Sequence, residues 1–383
     1  MNKFIGQDLV IVSETPGTTT DPVKKAMELL PYGPVVLVDT AGIDDIGELG
    51  RKRISKTVKV ISETDFAVVV LDAPKKISPE EINLFRHLKN LEIPYLAVIN
   101  KTDLGINNET IIFLKNEGIK YTEVSCILDT GIDKLKESVI HSIPTEIEPP
   151  LLGDLVKQHD LIVLVVPIDL GAPKGRLILP QMQTIREALD EDSIVVVAKD
   201  KELRAALSKL GQKPKLVITD SQAIMRVTAD VPEDIALTTF SILMARYKGD
   251  LREFVRGLAE LDRLNNGDKI LIAEACTHHA QEDDIGRVKI PRWIRNHTKK
   301  NLEIDVRSGT DFPENLSEYK LIVHCGGCML TRQTMQIRIK QAKLIGVPIV
   351  NYGIIISYMH GAIPRTLEPF PDALDEWTKL NTH

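Results

Sequence analysis

The chain has 383 residues, of which 43% are apolar and 27% are charged, and its formal net charge is −6. This length predicts two or three domains, and the composition is that of an ordinary globular protein. The acidic balance argues against a nucleic-acid-binding protein, and four cysteines are too few for a disulfide framework. The sequence contains no signal peptide and no apolar run long enough to span a membrane, so we expect a cytoplasmic protein without a membrane partner.

Strands and helices alternate in the first segment, residues 1–147. Its apolar runs of Val, Ile and Leu are typical of strands buried on both faces of a parallel sheet. They predict strands at 8–12, 35–39, 66–72 and 94–99, with an amphipathic helix at 79–90. Prolines interrupt the pattern at 143–152, where we expect a linker.

The same alternation continues through a second segment, residues 151–247, and a third, residues 250–383. In the second segment we predict strands at 160–168, 194–198 and 215–219 and helices at 178–190, 201–210 and 238–247. In the third we predict strands at 269–274, 302–306, 320–324 and 347–350 and helices at 286–299 and 331–345. The sequence therefore predicts an α/β fold of three domains, each with a mainly parallel sheet flanked by helices.

Two short motifs stand at the ends of predicted strands in the first segment. D-x-x-G runs from Asp39 to Gly42, where the carboxylate can hold Mg²⁺ through water and the glycine lets a backbone N–H approach a γ-phosphate. N-K-x-D comprises Asn100, Lys101 and Asp103, and its carboxylate can accept the two N–H groups of a guanine edge. D-x-x-G alone arises often by chance, but both motifs in this order at strand ends point to a guanine-nucleotide site.

Two loops complete the predicted nucleotide site. The polar stretch around Thr18 and Thr19 could place a hydroxyl on Mg²⁺, and Ser125 follows a short strand where the chain could close over the base. Cys126 beside it is predicted to be a small apolar filler. With these elements the first segment resembles the Ras-like GTPases of the Era/TrmE-like group, and the resemblance implies GTP and GDP binding, Mg²⁺ and GTP hydrolysis.

The segment departs from that group in two ways. Ile43 follows D-x-x-G in place of a water-orienting glutamine, so we expect slow hydrolysis unless a loop, a monovalent cation or a partner supplies the missing group. The phosphate loop G-x-x-x-x-G-K-[ST] is also missing from the sequence, which begins at the helix expected after it. Either upstream residues are omitted or this chain binds GTP poorly, and we favour omission because the downstream motifs are intact.

Three of the four cysteines fall in the third segment. Cys276 lies just beyond predicted strand 269–274, and Cys325 and Cys328 follow strand 320–324 as C-G-G-C. Because ligands collect outside the carboxyl ends of parallel strands, the three thiols can converge if these two strands are neighbours. The residues alone leave three alternatives: a [4Fe–4S] cluster with one open iron, structural zinc completed by a histidine, or reduced cysteines without a metal.

The spacing C-x-H followed by H-C-x-x-C resembles that of the HydF-type [FeFe]-hydrogenase maturation GTPases. The likeness extends to VPIDLGAPKGRLILPQ at 166–181, DIGRVKIPRW at 284–293 and further stretches over essentially the whole chain. The resemblance implies a [4Fe–4S] cluster rather than zinc.

The resemblance also implies a role for each polar residue around the cluster. The ligands would be Cys276, Cys325 and Cys328. We expect His278 and His324 to support the site rather than to bind iron. A weak, exchangeable fourth ligand is expected at Asp283, with Glu282 as the second choice, because an oxygen ligand leaves iron more readily than a thiolate.

The implied function is that of a GTPase scaffold and carrier, which would assemble the diiron precursor of the [FeFe]-hydrogenase active site and deliver it to the apo-hydrogenase. The expected partners are a second copy of the chain, bound through residues 151–247, and radical-SAM maturases, because the chain has no radical-SAM motif of its own. Two alternatives remain: a ribosome- or tRNA-associated GTPase with a zinc-binding accessory domain, and an iron–sulfur redox sensor.

Overall fold

The protein is described from a computed structural model, which covers residues 1–6, 23–40, 60–61, 64–143, 149–167, 177–275, 284–309, 312–313 and 315–381. The chain forms two compact units, Met1–Ile147 and Glu148–His383. Within the described ranges, no helix is both long and apolar enough to cross a bilayer.

The first unit combines a hairpin with a parallel sheet. Its strands are β1 (Val23–Leu29), β2 (Gly33–Asp39), β3 (Ala67–Asp72), β4 (Tyr95–Asn100) and β5 (Tyr121–Glu123). Its helices are α1 (Asn2–Ile5), α2 (Pro79–Asn90), α3 (Asn108–Asn116) and α4 (Ile132–Ser142). β1 pairs antiparallel with β2, and β3, β4 and β5 form a parallel sheet in that order.

The expectation that all the apolar runs of this unit form strands buried on both faces is wrong. β4 is buried at each position from Leu96 to Ile99, as predicted, because it is the central strand. Among the described residues β3 lies at an edge of its sheet, and Val68 and Val70 are 42% and 59% exposed. Val36 in β2 is 61% exposed. An apolar run therefore predicted each of these strands correctly, but position in the sheet decided which strand is buried on both faces.

α2 begins and ends where its sequence pattern predicts. Ser78 caps the helix by accepting from the backbone N–H of Glu81, whose carboxylate in turn accepts from the N–H of Ser78. This reciprocal capping box and a proline at the first helical position define the start locally. The inward face of the helix places Phe85 and Leu88 in the core.

The second unit begins with a four-stranded parallel sheet. Its strands are β6 (Leu161–Val165), β7 (Ile194–Ala198), β8 (Leu216–Thr219) and β9 (Ala236–Thr239), in the spatial order β7-β6-β8-β9. Its helices are α5 (Leu179–Asp190), α6 (Leu203–Lys209), α7 (Ile224–Asp230) and α8 (Phe240–Lys248). β9, a short strand with two threonines at its end, is an element that the sequence pattern did not predict.

A second parallel sheet of four strands follows in the same unit. Its strands are β10 (Lys269–Glu274), β11 (Glu303–Ser308), β12 (Leu321–His324) and β13 (Ile349–Asn351), in the order β11-β10-β12-β13. The helices are α9 (Leu251–Arg256), α10 (Leu258–Leu261), α11 (Ile290–Thr298), α12 (Arg332–Ile345), α13 (Tyr352–Met359) and α14 (Pro371–Asn381). A π-helical turn, Ile285–Lys289, precedes α11.

One hydrophobic core runs through the whole second unit, from Leu151 to Ala373, and includes both sheets. α8 packs against α5 on one side and against α12 and α13 on the other, so it joins the two sheets. A division of this unit into 151–247 and 250–383 stays a prediction, because the segments share one core.

Candidate functional site

The N-K-x-D motif lies at the carboxyl end of β4. Asn100 is the last residue of the strand, Lys101 has a left-handed backbone (φ 66°), and Asp103 lies in the 3₁₀ turn that follows. The backbone N–H and the hydroxyl of Thr102 donate to the carbonyl of Val124, at 3.3 and 3.1 Å. The turn that presents Asp103 is therefore anchored to the neighbouring loop.

The structure brings the polar residues of the predicted base site together. Ser125 is buried, and its hydroxyl donates to Oδ1 of Asp103 at 2.5 Å. The backbone N–H of Cys126 donates to Oδ1 of Asn100 at 3.3 Å, and the Cys126 side chain packs against the core. The carboxylate of Asp103 still has lone pairs that can accept from further donors, as the two N–H groups of a guanine edge require.

Asp72 contacts Lys101, although the sequence did not single it out. The Lys101 ammonium lies 3.0 and 3.1 Å from the two oxygens of Asp72, and the Lys75 ammonium lies 3.1 Å from Oδ2. Burial by itself raises the pKa of Asp72, but the two lysines outweigh it and hold that pKa below its ordinary value. The signal available in the sequence was its place as the last residue of β3, beside Asn100 in register.

The phosphate side of the predicted site is only partly described. Asp39 is the last residue of β2, where it pairs with Val23 of the hairpin. Thr18, Thr19 and Gly42 lie outside the described residues. Their roles in holding phosphate and Mg²⁺ stay predictions.

In the second unit, Cys325 and Cys328 lie just beyond β12 at the carboxyl edge of the sheet. β10 and β12 are parallel neighbours, with Ala273 paired to His324. From β10 the chain continues to β11 on one side of β10 and then crosses to β12 on the other side. The direction in which successive strands are added therefore reverses between β10 and β12. Parallel α/β sheets bind their ligands in the crevice at such a reversal.

The Cys325 sulfur already accepts hydrogen bonds from the backbone. The N–H of Ala275 donates to it at 3.0 Å and the N–H of Gly327 at 3.4 Å. Donors of this kind favour the thiolate, the form that binds metal. Ala275 is the residue before Cys276, so the sheet brings the chain segment that leads to the third cysteine to the Cys325 sulfur.

The remaining candidate ligands are not described. Cys276, His278, Glu282 and Asp283 lie outside the described residues, and their convergence on Cys325 and Cys328 stays a prediction. In the part of the chain that the structure does describe, no three His, Cys, Asp or Glu side chains form a group that could hold a metal ion.

The Cys-Gly-Gly-Cys loop, Cys325–Cys328, packs against α8. A Cβ added to Gly326 would lie 3.4 Å from Cβ of Met244, so the loop approaches the helix closely. The Lys248 ammonium, at the end of α8, donates to the carbonyl of Leu330 at 2.7 Å. Burial raises the pKa of the Cys328 thiol, while backbone hydrogen bonds and the Lys248 charge oppose that shift.

His324 is fully buried beside Cys325. Its Nδ1 lies 2.8 Å from the carbonyl oxygen of Cys325 and its Nε2 lies 3.0 Å from Nη1 of Arg338. Burial, and then the charge of Arg338, lower the pKa of His324 to about 3, so the ring is neutral. Both ring nitrogens contact protein atoms, and the supporting role of His324 stays a prediction. Arg338 is a contact that the sequence did not predict.

The second unit matches two family models over most of its length. Residues 151–249 match the hydrogen maturase F dimerization domain, and residues 252–369 match the hydrogen maturase F tetramerization domain. The chain belongs to the hydrogen maturase F family. Residues 1–101 match a third model, described as a 50S ribosome-binding GTPase, so this member of the family carries a GTPase domain at its N-terminal side.

Curated GTPases are similar to part of this chain. The tRNA modification GTPase MnmE of Aquifex aeolicus is 30% identical over 163 residues, which are 42% of this chain and 35% of MnmE. The MnmE of Thermoanaerobacter sp. (strain X514) is 29% identical over 55% of this chain and 44% of its own length. GTPase Der of Campylobacter hominis is 30% identical over 38% of this chain and 32% of Der. The chain thus spans 32–44% of the length of these relatives.

Solved structures of Era are also similar. Era of Aquifex aeolicus bound to GDP and AlF₄⁻ has a TM-score of 0.34 and 17% identity, over 52% of this chain and 87% of that one. Era in complex with MgGDPNP and a fragment of 16S ribosomal RNA has a TM-score of 0.34 and 18% identity, over 52% and 86%.

Proposed function

We propose that this chain is a GTPase scaffold and carrier that holds a [4Fe–4S] cluster. It would assemble the diiron precursor of the [FeFe]-hydrogenase active site with radical-SAM maturases and deliver that precursor to the apo-hydrogenase. The observation that carries the proposal is the Cys325 sulfur at the strand-order reversal, which accepts a hydrogen bond from the residue before Cys276.

The described residues fit a thiolate-bound metal. Cys325 and Cys328 form no disulfide, and they follow the strand next to the one that leads to Cys276. The backbone donors at the Cys325 sulfur would stabilise the negative charge that a ligating thiolate carries. A bound cluster would supply an iron with an exchangeable position, which Asp283, or Glu282 in second place, would occupy weakly.

GTP binding would take place at the base site around Asn100, Asp103 and Ser125. The anchored turn presents a carboxylate, and the GTPase model matched by residues 1–101 extends to Asn100 and Lys101 of N-K-x-D. Mg²⁺ would bind near Asp39 and Thr18 or Thr19. Hydrolysis would be slow, because Ile43 offers no group that orients water.

A homodimer is the proposed form in solution. The matched dimerization domain contains β7, which lies at the edge of its sheet as far as the chain is described, and its Ile194 and Val197 are 50% and 47% exposed. A second copy can pair with such an edge and cover these side chains. This pairing would extend the sheet across the two copies.

Anaerobic reconstitution with iron and sulfide tests the cluster directly. We expect about four iron atoms per chain and an EPR signal that changes with added imidazole, as for a cube with one exchangeable position. Cys325→Ser and Cys328→Ser should each lose most of this iron. Cys126→Ser in the first unit is the matched control and should retain it.

Two outcomes would contradict the proposal. Stoichiometric zinc in place of iron would favour the ribosome- or tRNA-associated alternative. An oxidant-labile cluster that no imidazole perturbs and that never passes iron to apo-hydrogenase would favour a sensor.

A further inference from the structure

Arg338 is a buried arginine on α12 that reaches the base of the cysteine loop. It is only 4% exposed. Its Nη1 donates to Nε2 of His324 at 3.0 Å, and its Nη2 donates to the carbonyl of Gly309, just beyond β11, at 2.8 Å. Its guanidinium carbon lies 4.8 Å from the centroid of the Phe312 ring. Two hydrogen bonds and a stacked ring therefore fix the guanidinium plane.

These contacts determine which nitrogen of His324 carries the proton. A guanidinium has only donors, so Nε2 must accept from Arg338. The ring proton therefore lies on Nδ1, which donates to the carbonyl of Cys325 at 2.8 Å. In this state Nδ1 has no lone pair in the ring plane and the lone pair of Nε2 is occupied, so neither nitrogen can bind a metal.

The same contacts reach the ligand loop. The carbonyl that accepts from His324 belongs to Cys325, the first residue of the Cys-Gly-Gly-Cys loop. The backbone N–H of Cys325 donates to the carbonyl of Ala273 at 3.0 Å. Both polar backbone groups of Cys325 are thus fixed by protein contacts. These contacts orient its Cα–Cβ bond, and the N–H groups of Ala275 and Gly327 that donate to Sγ hold the sulfur in place.

We propose that Arg338 is a positioning residue for the cluster: through His324 it orients Cys325 and keeps the imidazole away from iron. The inference rests on the proposed function, and it assigns the open iron position to a group other than His324. Residues that orient metal ligands in this way commonly change metal affinity by about 10–100-fold when they are replaced.

The hydrogen-bond chain can be tested in the metal-free protein. Long-range ¹H–¹⁵N spectra of protein labelled on histidine report which ring nitrogen is protonated, and His324→Asn identifies the His324 signal. We expect the Nδ1–H form in the native chain and a mixture of forms in Arg338→Met. An unchanged tautomer in Arg338→Met would overturn the proposal, whether or not the protein binds a cluster.

The effect on the cluster is tested in reconstituted protein. We expect Arg338→Met to lose iron to a chelator about 10-fold faster than the native chain and to shift the EPR g values, with partial recovery in Arg338→Lys. Arg365→Met is the matched control, because Arg365 also binds backbone carbonyls in this unit, among them those of Thr228 and Val231. It should lower thermal stability but leave the g values unchanged.

Pulsed EPR separates the remaining outcomes. A strong ¹⁴N coupling in the native cluster that His324→Asn removes would make His324 an iron ligand and overturn the inference. A native chain that binds no iron would refute the proposed function alone, because the tautomer measurement stands without a metal.

Discussion

At the scale of single residues, Asp103 is the group that we propose to select the base. Ser125 occupies one lone pair of Oδ1, and the turn around Thr102 holds the carboxylate in place. The remaining acceptors can bind the two adjacent N–H groups of guanine. An amide at this position would instead offer one acceptor and one donor, which suits a base that carries a carbonyl at C2, as xanthine does.

We therefore expect Asp103→Asn to lose affinity for GDP and to gain affinity for XDP. Two hydrogen bonds to a charged acceptor, each of about 1.5–3 kcal/mol, imply a loss of GDP affinity of about 100-fold or more. Titration with fluorescent GDP and XDP measures both effects, and Asp129→Asn, exposed in the following loop, is the control. Unchanged GDP binding in Asp103→Asn would contradict the base site.

Gly327 is a second position where the identity of one residue decides the local geometry, here that of the Cys-Gly-Gly-Cys loop. It has φ +67°, and an added Cβ would collide with the end of the Met335 side chain. The left-handed backbone costs an alanine about 1–2 kcal/mol. The terminal methyl of Met335, the far end of a flexible side chain, must also shift, which adds about 1 kcal/mol.

Gly327→Ala should therefore destabilise the second unit by more than Gly346→Ala in urea unfolding. Gly346 has φ +76° but nothing within 4 Å of an added Cβ, so Gly346→Ala measures the cost of the left-handed backbone alone. Gly327→Ala should also lower the iron bound on reconstitution, because the loop that carries both cysteines must move. Equal losses of stability in the two variants would show that the contact with Met335 does not matter.

At the scale of elements, the free edge of β7 is the feature with the clearest consequence. Ile194 and Val197 are half exposed on this strand. β7 has β6 on one side, and no described strand pairs with its other side. A charge on such an edge opposes pairing with a second chain.

Val197→Lys should convert the proposed dimer into a monomer, measured by light scattering after size exclusion. Val70→Lys is the matched control, because Val70 is a half-exposed valine on the edge strand β3 of the first unit. A dimer that survives Val197→Lys would place the interface elsewhere in 151–249.

At the scale of the whole molecule, the second unit carries two sheets on one core. α8 joins them, and Ile242 on that helix is fully buried. Ile242→Ala should remove about 2–5 kcal/mol, as for a large-to-small change in a packed core. Because the core is continuous, we expect hydrogen exchange to accelerate both in β6 and β8 and in β10 and β12.

The control for that measurement is Leu96→Ala, a buried change in the first unit. It should leave exchange in the second unit unchanged. Faster exchange confined to β6–β9 in Ile242→Ala would instead support two independently folding domains, at 151–247 and 250–383.

Local patterns determined much of this protein. The bounds of α2 and β7 follow from the sequence, because helical spacing, a capping box and a run of β-branched residues act between near neighbours. The N-K-x-D motif and the C-G-G-C loop were likewise placed at strand ends by the sequence. Each motif consists of residues that are adjacent in the chain, so a local pattern is enough to find it.

Only the tertiary structure decided which strands are neighbours and what surrounds them. The order β11-β10-β12-β13 puts Ala275 at the Cys325 sulfur, and the packing of α12 brings Arg338 to His324. Three further features were also decided by the tertiary structure. They are the edge positions of β3 and β7, the contact of Lys101 with Asp72, and the shared core of the second unit. These contacts join residues far apart in the sequence, and chain topology rather than local periodicity brings them together.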